Sequence, residues 1–166
     1  LILTFFCISC VVAKAQSSDN GDGTFTNPVI WADCPDPDVI RVGDDFYFVS
    51  TTMHLMPGAP VMHSKDLVNW SFEGYCTNQP QTRGAYAPEV YYYNGYFYMY
   101  TSPAGNGHYV LRSTSPTKGF EVVTPNMGMS IDGSVFIDRD GKWYFYTANH
   151  GQMMVYDMSS PSRMKT

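Results

Sequence analysis

The fold is decided by residues 90–100, Val90-Tyr91-Tyr92-Tyr93-Asn94-Gly95-Tyr96-Phe97-Tyr98-Met99-Tyr100: two aromatic runs around an Asn-Gly pair. Asn-Gly between extended runs is the strongest short hairpin signal, because both central residues of a type I′ turn take positive φ. The layout recurs twice. Val39-Ile40-Arg41-Val42 is followed by Gly43-Asp44 and Phe46-Tyr47-Phe48-Val49, and Val135-Phe136-Ile137 by Asp140-Gly141 and Trp143-Tyr144-Phe145-Tyr146. A third extended stretch follows each hairpin: Pro60 to Ser64, His108 to Ser113 and Met153 to Asp157. Trp70 to Glu73 and Phe120 to Val123 offer a fourth in the first two units.

A unit of four antiparallel strands therefore repeats. Aligned on Tyr47, Tyr98 and Tyr144, the spacings are 51 and 46 residues, the period of a propeller blade. The second strand of each unit is apolar on both faces, as a strand sandwiched between neighbouring sheets must be. A β-sandwich of unrelated hairpins is the alternative architecture. Residues 78–84 and 113–119 read as loops, and the third unit is expected to stop after its third strand. That makes two and a half to three blades of an all-β propeller, fewer than the four needed to close a ring. A last apolar face left open in this way favours aggregation.

Composition agrees. Of 166 residues, 44% are hydrophobic, 16% aromatic and only 15% charged, with 13 Tyr and 10 Phe, a balance typical of sheet packing. The formal net charge of −5 and the absence of a basic run argue against nucleic acid or anionic membranes as partners. Residues 1–13 form an apolar run followed by Ala13-Lys14-Ala15, the pattern of a signal peptide cleaved before Gln16, here clipped at its start. The run is too short to span a bilayer. The expected division is a signal peptide at 1–15, a leader at 16–26 and a partial catalytic propeller at 27–166. The product would be exported to the periplasm or beyond, with lipidation at Cys10 the weaker alternative. Cys34 and Cys76 would remain after cleavage, free to pair in an oxidising compartment. No CxxC pair or His/Cys cluster would survive that cleavage, so a zinc site is not expected. Asp19-Asn20-Gly21-Asp22-Gly23 resembles a calcium loop but lacks the bidentate Glu at loop position twelve, so a flexible leader is expected there.

In a propeller the first strand of each blade lines the central axis, so the residues just before it gather around one funnel. Asp36 lies 11 residues before Tyr47 and Asp132 lies 12 before Tyr144; the matching stretch of the second unit is Ala87-Pro88-Glu89. Two or three carboxyls are thus expected at one axial pocket. Pro37 is expected to push Asp36 towards extended backbone. Either aspartate could instead be an ordinary turn residue.

These residues, with Asn27-Pro28-Val29-Ile30, Pro35-Asp36-Pro37-Asp38, Met56-Pro57-Gly58, His63 to Trp70 (HSKDLVNW) and Ala87-Pro88-Glu89, resemble glycoside hydrolase family 43. The resemblance implies a five-bladed propeller that cleaves xylose- and arabinose-containing polysaccharides with inversion. It implies that Asp36 is the general base and that Asp132, in Asp132-Gly133-Ser134-Val135-Phe136-Ile137-Asp138, orients the general acid and tunes its pKa. The acid itself, a glutamate of the fourth blade in such enzymes, matches no position here, so the chain alone is expected to be inactive. Inversion needs a base and an acid far enough apart to admit a water, and a nearby negative charge keeps the acid protonated.

Tyr86, His54 and Glu89 are the candidate substrate-binding residues. Tyr86 stands where the resembled enzymes often carry Trp, and interior packing is its alternative role. Thr52-Met53-His54-Leu55-Met56 differs from the aromatic stretch of many of the xylosidases, and His54 could equally be solvated. Glu89 is expected to line the pocket. No cofactor is expected, although relatives can hold an axial calcium. The expected partner is a xylan or arabinoxylan chain. A carbohydrate-binding propeller without catalysis and a retaining fructan- or sucrose-cleaving glycosidase are the alternatives.

Overall fold

A computed structural model of the chain describes residues 17–78, 84–103, 107–128, 131–149, 152–160 and 163–164; the apolar run at the start and most of the 78–84 loop lie outside them. Three four-stranded antiparallel sheets follow one another along the chain. Blade 1 holds β1 (Asp38–Val42), β2 (Asp45–Val49), β3 (Gly58–Ser64) and β4 (Trp70–Thr77). Blade 2 holds β5 (Ala85–Tyr93), β6 (Tyr96–Pro103), β7 (Tyr109–Ser113) and β8 (Glu121–Val122). Blade 3 holds β9 (Ser134–Ile137), β10 (Trp143–Asn149), β11 (Gln152–Ser160) and β12 (Arg163–Met164). β12 is a short fourth strand that the sequence reading does not anticipate. Strand order follows chain order in every sheet, and β1 lies against β5 and β5 against β9. This is the arrangement of propeller blades around an axis.

The register supports the repeat. Tyr47 pairs with Ile40, Tyr98 with Tyr91 and Tyr144 with Phe136, so the three aligned tyrosines hold equivalent places. The turns differ. Asn94 and Gly95 have φ of 49° and 82°, the type I′ pattern, whereas only the first residue of Gly43-Asp44 is left-handed, at 64°, as in type II′. The third hairpin is not a two-residue turn. Gly141 N donates to Asp138 O and Asp138 N to Lys142 O, both at 2.9 Å, with Gly141 at φ 79°: a three-residue loop ending in a glycine bulge. Its extra residue explains why Asp132 lies 12 rather than 11 positions before its tyrosine.

Both faces of β6 are apolar because both are covered. Phe97 and Met99 join Val49, Val61, Val90 and Leu111 in the core between blades 1 and 2. Tyr98 and Tyr100 point the other way and join Val110, Val135, Trp143 and Phe145 between blades 2 and 3. β10 buries only one such row: Trp143 and Phe145 are inside, while Tyr144 and Tyr146 stand half-buried beside exposed Phe136.

The Ser64 to Trp70 motif is a structural turn. Ser64 Oγ accepts from Asp66 N and Leu67 N, Asp66 Oδ1 accepts from Val68 N and Asn69 N, and Trp70 Nε1 donates to Leu67 O. Leader residues 17–26 form a small turn in which Asp19 Oδ1 accepts from Gly21 N and Asp22 Oδ1 from Thr24 N. Asn69 Nδ2 donates to Asp19 Oδ2 and fastens that turn to blade 1.

Candidate active site

The axial rim is built from three equivalent backbone positions. Asp36, Ala87 and Asp132 each stand three residues before a valine, Val39, Val90 or Val135, which pairs with Phe48, Met99 or Phe145. All three are left-handed, with φ of 49°, 37° and 62°. The extended conformation expected for Asp36 from Pro37 is therefore wrong. Aspartate tolerates the left-handed region better than most residues, and hydrogen bonds outweigh the proline preference here. Ala87, with no polar side chain to compensate, is the most strained of the three.

Asp36 is exposed, and its carboxylate is held from below. Buried Thr51 donates from Oγ1 to Asp36 Oδ2 at 2.6 Å, and the same Oγ1 accepts from Ala87 N at 2.7 Å. Thr51 N donates to Pro35 O, and Thr52 N to Ala85 O, each at 3.0 Å. The residues just after β2 thus stitch the Asp36 lead-in to the start of blade 2. β5 accommodates this with a bulge between Tyr86 and Glu89, where Pro88 has no N–H to pair.

At Asp132 it is the backbone that is held. Gly133 N donates to Nε2 of buried His108 at 3.1 Å, so this imidazole presents an unprotonated Nε2 to the amide. Thr147 Oγ1 donates to Ile131 O at 2.7 Å. A Cβ on Gly133 would run into the Phe145 ring and come within 2.6 Å of His108 Nε2, which is why glycine follows Asp132. The Asp132 side chain is exposed, and no hydrogen bond from the described residues reaches its carboxylate.

Glu89 lies two residues beyond the rim position and spans two blades. Its carboxyl accepts from Ser134 Oγ at 2.9 Å and Val135 N at 2.6 Å. Asp38, at the equivalent place in blade 1, accepts from Val90 N at 2.7 Å. One carboxyl from blade 1 and one from blade 2 therefore each bind the first-strand amide of the next blade. Burial pushes Glu89 up to about 8, against the lowering effect of its two hydrogen bonds, and burial also raises Asp38. The sequence reading missed Asp38, Thr51 and His108. Asp38 and Glu89 each immediately precede an aligned valine, and that position in the repeat is the signal that could have found the pair.

Tyr86 is half-buried on β5, paired with Ser102. His54 is exposed in the loop after β2, and its backbone packs against Gly84, two residues before Tyr86. Cys34 and Cys76 are free thiols, Cys34 half-buried and Cys76 buried. Among the described residues, no group of three His, Cys, Asp or Glu side chains is placed to hold a metal. No helix among them is long and apolar enough to cross a membrane.

Three consecutive four-stranded antiparallel sheets, with aspartates at the lead-ins of the first and third, define a partial β-propeller. The family comparison is direct: the chain belongs to the glycosyl hydrolases family 43, whose profile matches residues 25–165. It is 36% identical over 148 residues to a non-reducing end alpha-L-arabinofuranosidase of Bacteroides ovatus, covering 80% of this chain and 28% of that protein. It is 33% identical over 148 residues to a beta-xylosidase of Formosa agariphila, covering 78% and 25%. A solved family 43 structure from Bacillus licheniformis superposes with a TM-score of 0.74 at 28% identity, covering 86% of this chain and 32% of that one. The chain thus spans about a quarter of the length of these two curated relatives.

Proposed function

We propose that this chain forms the first blades of an exported, inverting glycosidase that cleaves xylosyl or arabinofuranosyl bonds in xylan-type polysaccharides. The observation that carries the reading is the rim: Asp36 and Asp132 occupy equivalent left-handed positions at the lead-ins of blades 1 and 3. Asp36, solvent-facing at the rim, takes the proton of the attacking water as general base. Asp132 supplies a negative charge that keeps the general acid protonated. That acid is a glutamate contributed beyond residue 166. Tyr86 and His54 flank the sugar, and Glu89 fixes blade 2 to blade 3 beneath it. The similarity to both an arabinofuranosidase and a beta-xylosidase keeps both sugars as substrates.

The test is release of nitrophenol from the β-xyloside and the α-L-arabinofuranoside by the full-length protein, with the first-formed anomer followed by proton NMR. Inverted product, lost in Asp36→Asn, is expected. Retained configuration would instead assign Asp36 the nucleophile role of the fructan-cleaving propellers. No turnover of any pentoside would leave a carbohydrate-binding propeller. The 166-residue chain alone is expected to be inactive.

A further inference from the structure

We infer that Thr51 is a positioning residue that selects which oxygen of Asp36 accepts the proton; this rests on the base role proposed above for Asp36. A threonine hydroxyl normally rotates to suit its surroundings. Here it cannot. One of its two lone pairs accepts from the Ala87 amide at 2.7 Å, and its single proton is directed at Asp36 Oδ2, a carboxylate oxygen 2.6 Å away that can only accept. That bond is short, as charge-assisted bonds are, and it lies in a buried spot, with Thr51 only 4% exposed. Oδ2 is thereby engaged, and no hydrogen bond from the described residues reaches Oδ1. Oδ1 becomes the proton acceptor.

The backbone reinforces the device. Thr51 N holds Pro35 O, so one residue grips both the peptide preceding the base and the base itself. Both groups bonded by the hydroxyl belong to residues on left-handed backbone, at φ 49° and 37°. The hydroxyl therefore joins the rim positions of two blades, and the orientation of the base depends on the seating of blade 2 against blade 1. General-base catalysis requires such aim, because a proton acceptor works only within hydrogen-bond reach of its water.

The experiment compares Thr51→Val, Thr51→Ser and Asp36→Asn in the full-length protein on nitrophenyl pentosides. Thr51→Val is expected to lower kcat by about tenfold to a hundredfold, the scale of a misplaced catalytic group, with KM within about twofold; Thr51→Ser is expected to restore most of it. If Thr51→Val does not fold, Thr51→Cys, a weaker donor of similar size, is read the same way. Wild-type kcat in the Val variant overturns the inference, and so does a Ser variant as impaired as Val, which would show that the methyl group matters and not the hydroxyl. Asp36→Asn separates the two levels: if it keeps full activity the base assignment itself fails, whereas if it is inactive while Thr51→Val is unaffected, only the role of Thr51 falls.

Discussion

The lead-ins of blades 1 and 3 carry the same residue type on the same left-handed backbone, and they are secured differently. At Asp36 the side chain is gripped, through Thr51 Oγ1. At Asp132 the peptide is gripped, through Gly133 N on His108 and Ile131 O on Thr147, while the carboxylate receives no hydrogen bond from the described residues. The difference suits the two roles proposed for these aspartates. A base must aim a particular lone pair at a water, whereas a group that raises a neighbour's pKa need only place its charge. Equivalent positions in a repeat have thus diverged through the residues beneath them.

The largest expected effect comes from cutting each arm of that comparison in the full-length protein. Asp36→Asn should lower kcat by about 10²–10⁴, the range for loss of a general base. Asp132→Asn should cost less, on the order of tenfold to a hundredfold, and should move the basic limb of the kcat profile to lower pH, since the acid loses a charge that keeps it protonated. Equal losses with unmoved pH profiles would erase the distinction between the two aspartates.

Next is the backbone grip of blade 3. Gly133→Ala forces a methyl group into Phe145 and His108, and overpacking of this kind costs about 1–3 kcal/mol. Denaturant melts should show it, and a neutral substitution would mean that the Asp132 peptide is held less tightly than the contacts require.

Glu89 ties blade 2 to the first strand of blade 3 and makes stability depend on pH. Folded, it keeps its proton up to about pH 8, while the unfolded chain gives it up near 4.5. Unfolding therefore releases a proton between those values, so this group makes stability fall as pH rises from about 4.5 to about 8. Asp38, also raised by burial, acts in the same direction. Thermal melts of Glu89→Gln across that window should have a flatter slope than wild type; an unchanged slope would contradict the assignment.

The smallest effect is expected at Ala87, the middle rim position. Glycine there relieves a left-handed conformation worth roughly 1–2 kcal/mol but adds unfolded-chain entropy of about the same size. Ala87→Gly should change stability by less than about 1 kcal/mol, and a large loss in melts would show that the methyl group packs against something essential.

Much of this was legible in the residues. The tyrosine alignment placed the three hairpins and, with them, Asp36 and Asp132, because a repeat turns spacing into position. The doubly apolar β6 was readable for the same reason: its two faces serve two cores. The glycine bulge at Gly141 was hidden because Asp-Gly suits both a two-residue turn and a longer one. The backbone of Asp36 was misread because the Pro37 preference is local, while the bonds that override it come from Thr51, 15 residues away. Glu89 is readable in the sequence as a carboxyl near the rim, whereas its bond to Val135 N, 46 residues on, exists only in the folded chain.

The most direct measurement is a crystal structure of the full-length protein with xylose or arabinose bound. The account predicts that the carboxyl groups of Asp36 and Asp132 line one axial pocket around a single sugar, with Asp36 Oδ1 facing the anomeric carbon across a water and Oδ2 on Thr51. A sugar bound away from Asp36, or the two carboxyl groups opening onto separate surfaces, would contradict it.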